Sequence, residues 1–150
     1  MKDIDIHLAA DQEKDMAASL MAASEPWITL GRTEEMCRNI CHDHEFFLYM
    51  AHCNNIPAGI ILLDPRGVAG SPYIKSIAVY PEFRGRGIGT KLLSFAENLL
   101  KDKSRHIFIC VSSFNRRAQQ LYERSGYKAV GEFKDYIIEG ASEILMHKGL

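Results

Sequence analysis

The feature that most narrows what this chain can fold into is the stretch Ser76-Ile77-Ala78-Val79-Tyr80-Pro81-Glu82-Phe83-Arg84-Gly85-Arg86-Gly87-Ile88-Gly89-Thr90-Lys91, followed by an apolar-periodic run over 92–100. A β-branched extended segment stops at Pro81, a glycine-rich turn follows, and a helix opens from the last glycine. Gly85, Gly87 and Gly89 can take positive φ and let a ligand approach the backbone, while the N–H groups of a first helical turn have no intrahelical acceptors. With the helix dipole and the side chains of Arg84 and Arg86, these donors suit a pyrophosphate. A Walker loop is excluded because the order is Gly89-Thr90-Lys91, and the dinucleotide fingerprint because the glycines are spaced two and two in mid-chain. A purely structural turn is the alternative, but three glycines and two arginines in six residues are more than a turn requires.

The 150 residues, 47% hydrophobic and 25% charged, suit one domain, 1–150, with a sizeable core. A net charge of −1 gives no general attraction to nucleic acid, so anion binding must be local. No run approaches a membrane span, and Asp3 and Asp5 stand where a signal peptide is basic and then apolar, so the expectation is a cytoplasmic protein. Cys37, Cys41, Cys53 and Cys110 lack the paired spacing of a disulfide framework and are expected as thiols. His42, His44 and His52 near Cys37, Cys41 and Cys53 raise the question of zinc. The spacing argues against it, and no metal is expected.

Ile4, Ile6 and Leu8 alternate with polar residues as in a half-buried strand, and helices are expected over 11–23 and 33–40, the second capped by Thr33. Residues 45–52 and 56–63 form a hairpin across Asn54 and Asn55. Residues 64–72 read as loop, 73–80 as strand, 87–101 as helix and 106–111 as a buried strand parallel to 73–80. A helix over 115–125 and strands over 127–133 and 142–147 complete the chain.

Arg84, Gly87 and Gly89 fit an R/Q-x-x-G-x-G/A signature, and Asn115, Ala118, Leu121-Tyr122-Glu123 and Gly126-Tyr127 form a second block one strand later. Together, over about 73–133, they resemble the GNAT family of N-acetyltransferases. The resemblance implies an α/β (α+β) fold with a mixed, largely antiparallel sheet of about seven strands, a parallel splayed pair in its middle, and about four flanking helices. It implies acetyl-CoA as co-substrate, its arm lying along Ile77, Ala78 and Val79 like an added strand. The pyrophosphate would meet Arg84, Gly85, Arg86, Gly87, Ile88, Gly89 and Thr90. Asn115 would face the arm, and Arg116 or Arg117 the phosphates or adenine, if not solvent.

By the same resemblance Tyr122 sits near the thioester sulfur and protonates the departing thiolate, and a backbone N–H at or beside Val79 binds the carbonyl oxygen. The family often carries a glutamate on the strand before the glycine turn to take the amine's proton, but this chain has Lys75 about there. Glu82, Glu45 and Asp135 are alternative bases, as is a water relay. Glu25, Trp27, Arg32, Asp135 and Tyr136 fall in segments expected to meet the acceptor, and they fit small amines, α-amines and protein lysines alike. Two functions follow: an N-acetyltransferase acting by direct attack, or a non-catalytic acyl-CoA-binding or sensor module. A homodimer is entertained through 136–138 and 144–146.

Overall fold

Asn54 and Asn55 both adopt left-handed backbone, φ 51° and 67°, the conformation a two-residue hairpin turn demands. In the computed structural model, which describes residues 3–150, this turn joins β2 (Phe47–Cys53) to β3 (Ile56–Val68). Ahead of it come β1 (Ile4–Leu8), α1 (Asp11–Ala22) and α2 (Glu34–Cys41). After it come β4 (Ser71–Val79), a short turn of 3-10 helix at Pro81–Phe83, α3 (Ile88–Leu100), β5 (His106–Ser112), α4 (Arg116–Arg124), β6 (Lys128–Lys134) and β7 (Ser142–Gly149).

The seven strands form one sheet in the order β1-β2-β3-β4-β5-β7-β6. Only β4 and β5 run parallel; the other neighbours are antiparallel, as the resemblance implies. Along β3 the run of apolar residues is buried on both faces, because helices cover both. Ile60 and Leu62 pack with Met50, Met21 and Cys41 under α1 and α2, while Ile61 and Leu63 pack with Leu92, Leu93, Ala96 and Ile109 under α3. Truncating Ile60, Ile61, Leu62, Leu92, Leu93 or Ile109 to alanine should cost about 2–5 kcal/mol.

Thr33 caps α2 as expected, its hydroxyl accepting from the Met36 N–H at 3.1 Å. Two sequence readings need correction. The supposed loop over 64–72 is the far end of the β3–β4 hairpin, turning at Ala69 and Gly70, both at positive φ. Its Pro and Gly residues mark a bulge between Asp64 and Val68, where the ladder is interrupted. β7 is not an edge either: it lies between β5 and β6, so 144–146 offers no free backbone, and 136–138 belongs to the connection before it. The exposed edge on that side is β6. Among the described residues no helix is long and apolar enough to cross a membrane.

Candidate active site

β4 and β5 are paired only at Tyr73↔Phe108 and Ile74↔Ile109, then separate. On its other side β4 stays bonded to β3, and the Tyr80 N–H donates to the Ala58 carbonyl at 2.9 Å. Antiparallel bonding alternates, so Ala78 and Ser76 also turn their backbone groups toward β3, whereas Ile77 and Val79 turn theirs toward the gap beside β5. The three-residue edge expected at 77–79 is therefore two residues of backbone, Ile77 and Val79; Ala78 lines the cleft without offering its N–H.

At the end of β4 the chain turns through Gly85 and Gly87, at φ 74° and 84°, a conformation that costs other residues energy. Gly87 stands at the cap of α3 with no side chain closing it. The first intrahelical bond comes from the Lys91 N–H to the Gly87 carbonyl, so the N–H groups of Ile88, Gly89 and Thr90 have no acceptor within the helix. Close packing aims this end of the helix. A Cβ on Gly59 would lie 2.8 Å from the Ala78 carbonyl oxygen and 3.2 Å from both Ile88 and Leu92, and one on Gly89 would lie 2.9 Å from Leu121.

The side chains of the two arginines of the turn are both engaged within the protein. Arg84 is a tie rather than a free cation: its Nε donates to the Val79 carbonyl at 3.0 Å and its Nη2 to Ser24 Oγ at 3.3 Å. Arg86 lies over the Phe83 ring at 5.8 Å and does not line the cleft. The donors this turn leaves without acceptors are backbone N–H groups, with the exposed Thr90 hydroxyl beside them.

α4 crosses the same cleft from the other end. Asn115 caps it, its Oδ1 accepting from the Ala118 N–H at 3.4 Å, and Gln119 Nε2 donates to the carbonyls of Ser112 and Ser113 at 3.1 and 2.9 Å, fastening the helix to the end of β5. Tyr122, on this helix, is 5% exposed and lines the cleft. Burial pushes its phenol above the ordinary value, so it remains protonated at neutral pH. Behind it, Tyr127 donates to Glu97 at 2.9 Å, and Lys148 donates to the other oxygen of that carboxylate at 2.9 Å.

The cleft, of about 1330 Å³, continues to the side covered by α1 and α2, where Trp27, Arg32 and Met36 line it. Lys75 lines it too, its Nζ 4.8 Å from the centre of the Phe46 ring. Glu82, Glu45 and Asp135 are exposed and none lines the cleft; Asp135 instead accepts from the Gly140 N–H at 2.6 Å within the β6–β7 connection. Tyr136 is 68% exposed and also outside.

Two acids among the described residues line the cleft, Glu25 and Glu143, and the second was not among the sequence candidates. Glu143, on β7, is 8% exposed and accepts from Ser112 Oγ at 2.6 Å. Burial raises its carboxyl above the usual range, against the opposing pull of the Ser112 hydrogen bond and the Arg32 charge. Its one sequence signal is an acid at the head of the apolar run Ile144-Leu145-Met146, which gains meaning only once β7 is known to be an interior strand.

The cysteines weighed against zinc are dispersed: Cys37 and Cys41 belong to the core under α1 and α2, Cys53 to the core on the opposite face. His52 stacks on His7 at 4.9 Å and 16°, both imidazoles facing Glu13 at 3.1–3.5 Å, at the far edge of the sheet. Planes so nearly parallel do not direct two ring lone pairs at one point, so this is a hydrogen-bonded cluster rather than a ligand set.

Residues 13–127 match the acetyltransferase (GNAT) family. A Bacillus subtilis (strain 168) protein, described by inference as a ribosomal protein bS18-alanine N-acetyltransferase, is 34% identical over 74 residues, 49% of this chain and 49% of its own, so the match spans about half the length of that curated relative. Among solved structures, a GNAT family acetyltransferase from Elizabethkingia anophelis with acetyl-CoA bound superposes over 100% of both chains with a TM-score of 0.80 at 23% identity. The ribosomal-protein-S18-alanine N-acetyltransferase from Escherichia coli superposes over 98% of this chain and 94% of its own, with a TM-score of 0.80 at 18% identity. At those identities the structures speak for the fold, and the family follows from the match over 13–127, which takes in the glycine turn, the splayed strands and Tyr122: this chain belongs to the acetyltransferase (GNAT) family.

Proposed function

We propose that the protein is an acetyl-CoA-dependent N-acetyltransferase, its 150 residues acting as one catalytic domain, that moves an acetyl group to a primary amine in a ternary complex. The observation that carries the reading is a single cleft lined by the outward-facing N–H groups of β4, the unaccepted N–H groups of the first turn of α3, and the buried Tyr122.

Bound acetyl-CoA supplies the acetyl group as an activated thioester. Ile77 and Val79 present backbone groups to its extended arm as a neighbouring strand would, except that the Val79 carbonyl is held by Arg84. The N–H groups of Ile88, Gly89 and Thr90 and the Thr90 hydroxyl receive the pyrophosphate. Asn115 has its oxygen committed to the helix cap, which leaves its NH2 group as the donor toward the arm. The Val79 N–H stabilises the carbonyl oxygen as negative charge develops on it, and Tyr122 gives its proton to the sulfur as the C–S bond breaks.

The reading extends to a cytoplasmic protein acting on a small or peptide amine, with no nucleic acid or membrane among its partners and no metal in its chemistry. A second copy, if one joins, would use the open edge of β6, and light scattering would report it. The test of function is free-thiol release from acetyl-CoA across a panel of amines. Release with at least one amine is expected; none, from a folded protein that binds the coenzyme, would favour the acyl-CoA-binding module instead.

A further inference from the structure

The strand before the glycine turn carries Lys75 rather than an acid, yet an alkyl amine is almost wholly protonated at neutral pH and must lose a proton before it attacks. Among the described residues the carboxylates lining the cleft are Glu25 and Glu143. Glu25 is occupied, its two oxygens accepting from the Thr29 N–H at 3.0 Å and the Thr29 hydroxyl at 2.7 Å. Glu143 has one oxygen fixed by Ser112.

Its placement suits an entering amine. Glu143 lies opposite Ser112 in the β5–β7 register. Ile109 and Val111 of β5 pack with the core under α3, so alternation turns Cys110 and Ser112, and Glu143 with them, to the face covered by α1 and α2. That is the side lined by Trp27 and Arg32. The groups that feel its charge are Arg32 from the segment between α1 and α2, Tyr73 from β4 and Cys110 from β5, while its partner on β6 is Phe133. Pairing of β5 with β4 ends at Ile109, and Ser112, the residue opposite Glu143, lies beyond it on the separated part of β5. The carboxylate therefore stands beside the point where the cleft opens.

We infer that Glu143, oriented by Ser112, accepts the proton of the acceptor ammonium. The inference rests on the N-acetyltransferase reading and deepens it. Glu143 takes one proton from the nitrogen and passes it to solvent. As the C–N bond forms and the C–S bond breaks, sulfur takes the Tyr122 proton, and the second proton leaving nitrogen restores Tyr122. Burial, by raising the carboxyl, brings it nearer to neutral pH, where a base is most effective.

The experiment compares wild type and Glu143→Gln by kcat/KM against pH, with an alkyl amine and with an aniline that is already neutral. The variant should lose about 100-fold or more with the alkyl amine at neutral pH, recover as pH approaches the amine's own pKa, and lose less than about threefold with the aniline, at unchanged coenzyme affinity. Equal losses with both acceptors, or no loss with either, would overturn the inference. Wild-type turnover with an unaffected variant removes only this role; no wild-type turnover with any amine removes the acetyltransferase reading itself. Ser112→Ala serves if Glu143→Gln does not fold: without its donor the carboxylate should titrate higher and carry the acidic limb of the profile upward, and an unmoved limb counts against the role.

Discussion

β4 is bounded by two seams of opposite character. Toward β3 it is paired from Gly59↔Val79 to Val68↔Ser71, with two irregularities along the way; toward β5 it is paired at two positions and then let go. The same stretch serves both seams by alternation, even-numbered backbone groups from Ser76 to Tyr80 holding the sheet and those of Ile77 and Val79 left without a strand partner. A strand can therefore be paired on one side and open on the other without any change of composition. Stability and coenzyme affinity should accordingly separate residue by residue.

The sharpest way to break that contrast is proline. Ala78→Pro removes a donor from the paired seam and should cost about 3 kcal/mol or more, seen as a large fall in denaturant midpoint. If Ala78→Pro is as stable as wild type, the alternation is wrong. Tyr122→Phe, in the open half, should leave stability and coenzyme binding nearly intact while lowering kcat by about 100-fold. A kcat unchanged in steady-state assays would remove its acid role.

Gly59→Ala returns to the closed seam, where the new Cβ would meet the Ala78 carbonyl at 2.8 Å, backbone that has little room to yield. The expected cost is about 1–3 kcal/mol by thermal or chemical melting, and a neutral result would show that the β3–β4 seam itself yields at this point. Val79→Pro is the counterpart of Ala78→Pro on the open side. It should weaken coenzyme binding about tenfold by calorimetry, roughly one hydrogen bond, with a smaller stability loss than its neighbour.

The smallest effect belongs to the far edge of the sheet. Burial pulls His7 down, but hydrogen bonds and charges of Asp5 and Glu13 outweigh it and leave it raised. Burial pushes Glu13 up, but the Ala10 N–H and the two imidazoles outweigh it and leave it lowered. The His7 contribution is complete below the ordinary imidazole value and fades as pH rises through its raised one. The Glu13 contribution is complete above the ordinary carboxyl value and fades as pH falls. His7→Gln should therefore flatten the stability profile between about pH 6 and 8 by less than about 1 kcal/mol, since the group is partly exposed, and leave coenzyme affinity untouched. An altered affinity would mean that the two halves of the sheet are coupled.

Much of this was legible in advance because the signals are local. The asparagine pair dictates its own turn, Thr33 its cap, and the glycine spacing its helix start, since each needs only a few neighbouring residues to satisfy a dihedral or an orphaned N–H. The bulge near Pro65 was misread because the same residues that make loops also interrupt ladders. The ties of Arg84 were not legible for a different reason: an arginine beside an expected anion site looks the same in one dimension whether or not its side chain also bonds Val79 and Ser24.

By itself, then, the sequence determined the order of elements and the helix start at the glycine turn, and its resemblance to the family singled out Tyr122 as the expected acid. Tertiary structure decided which backbone groups of β4 are free, because that depends on the parity of its pairing with β3. It also decided that β7 runs inside the sheet, which brings Glu143 against Ser112 across 31 residues of chain and turns an unremarked acid into the cleft's available carboxylate. Burial and pairing are properties of neighbours in space, and a linear pattern carries them only where the neighbours are also close in sequence.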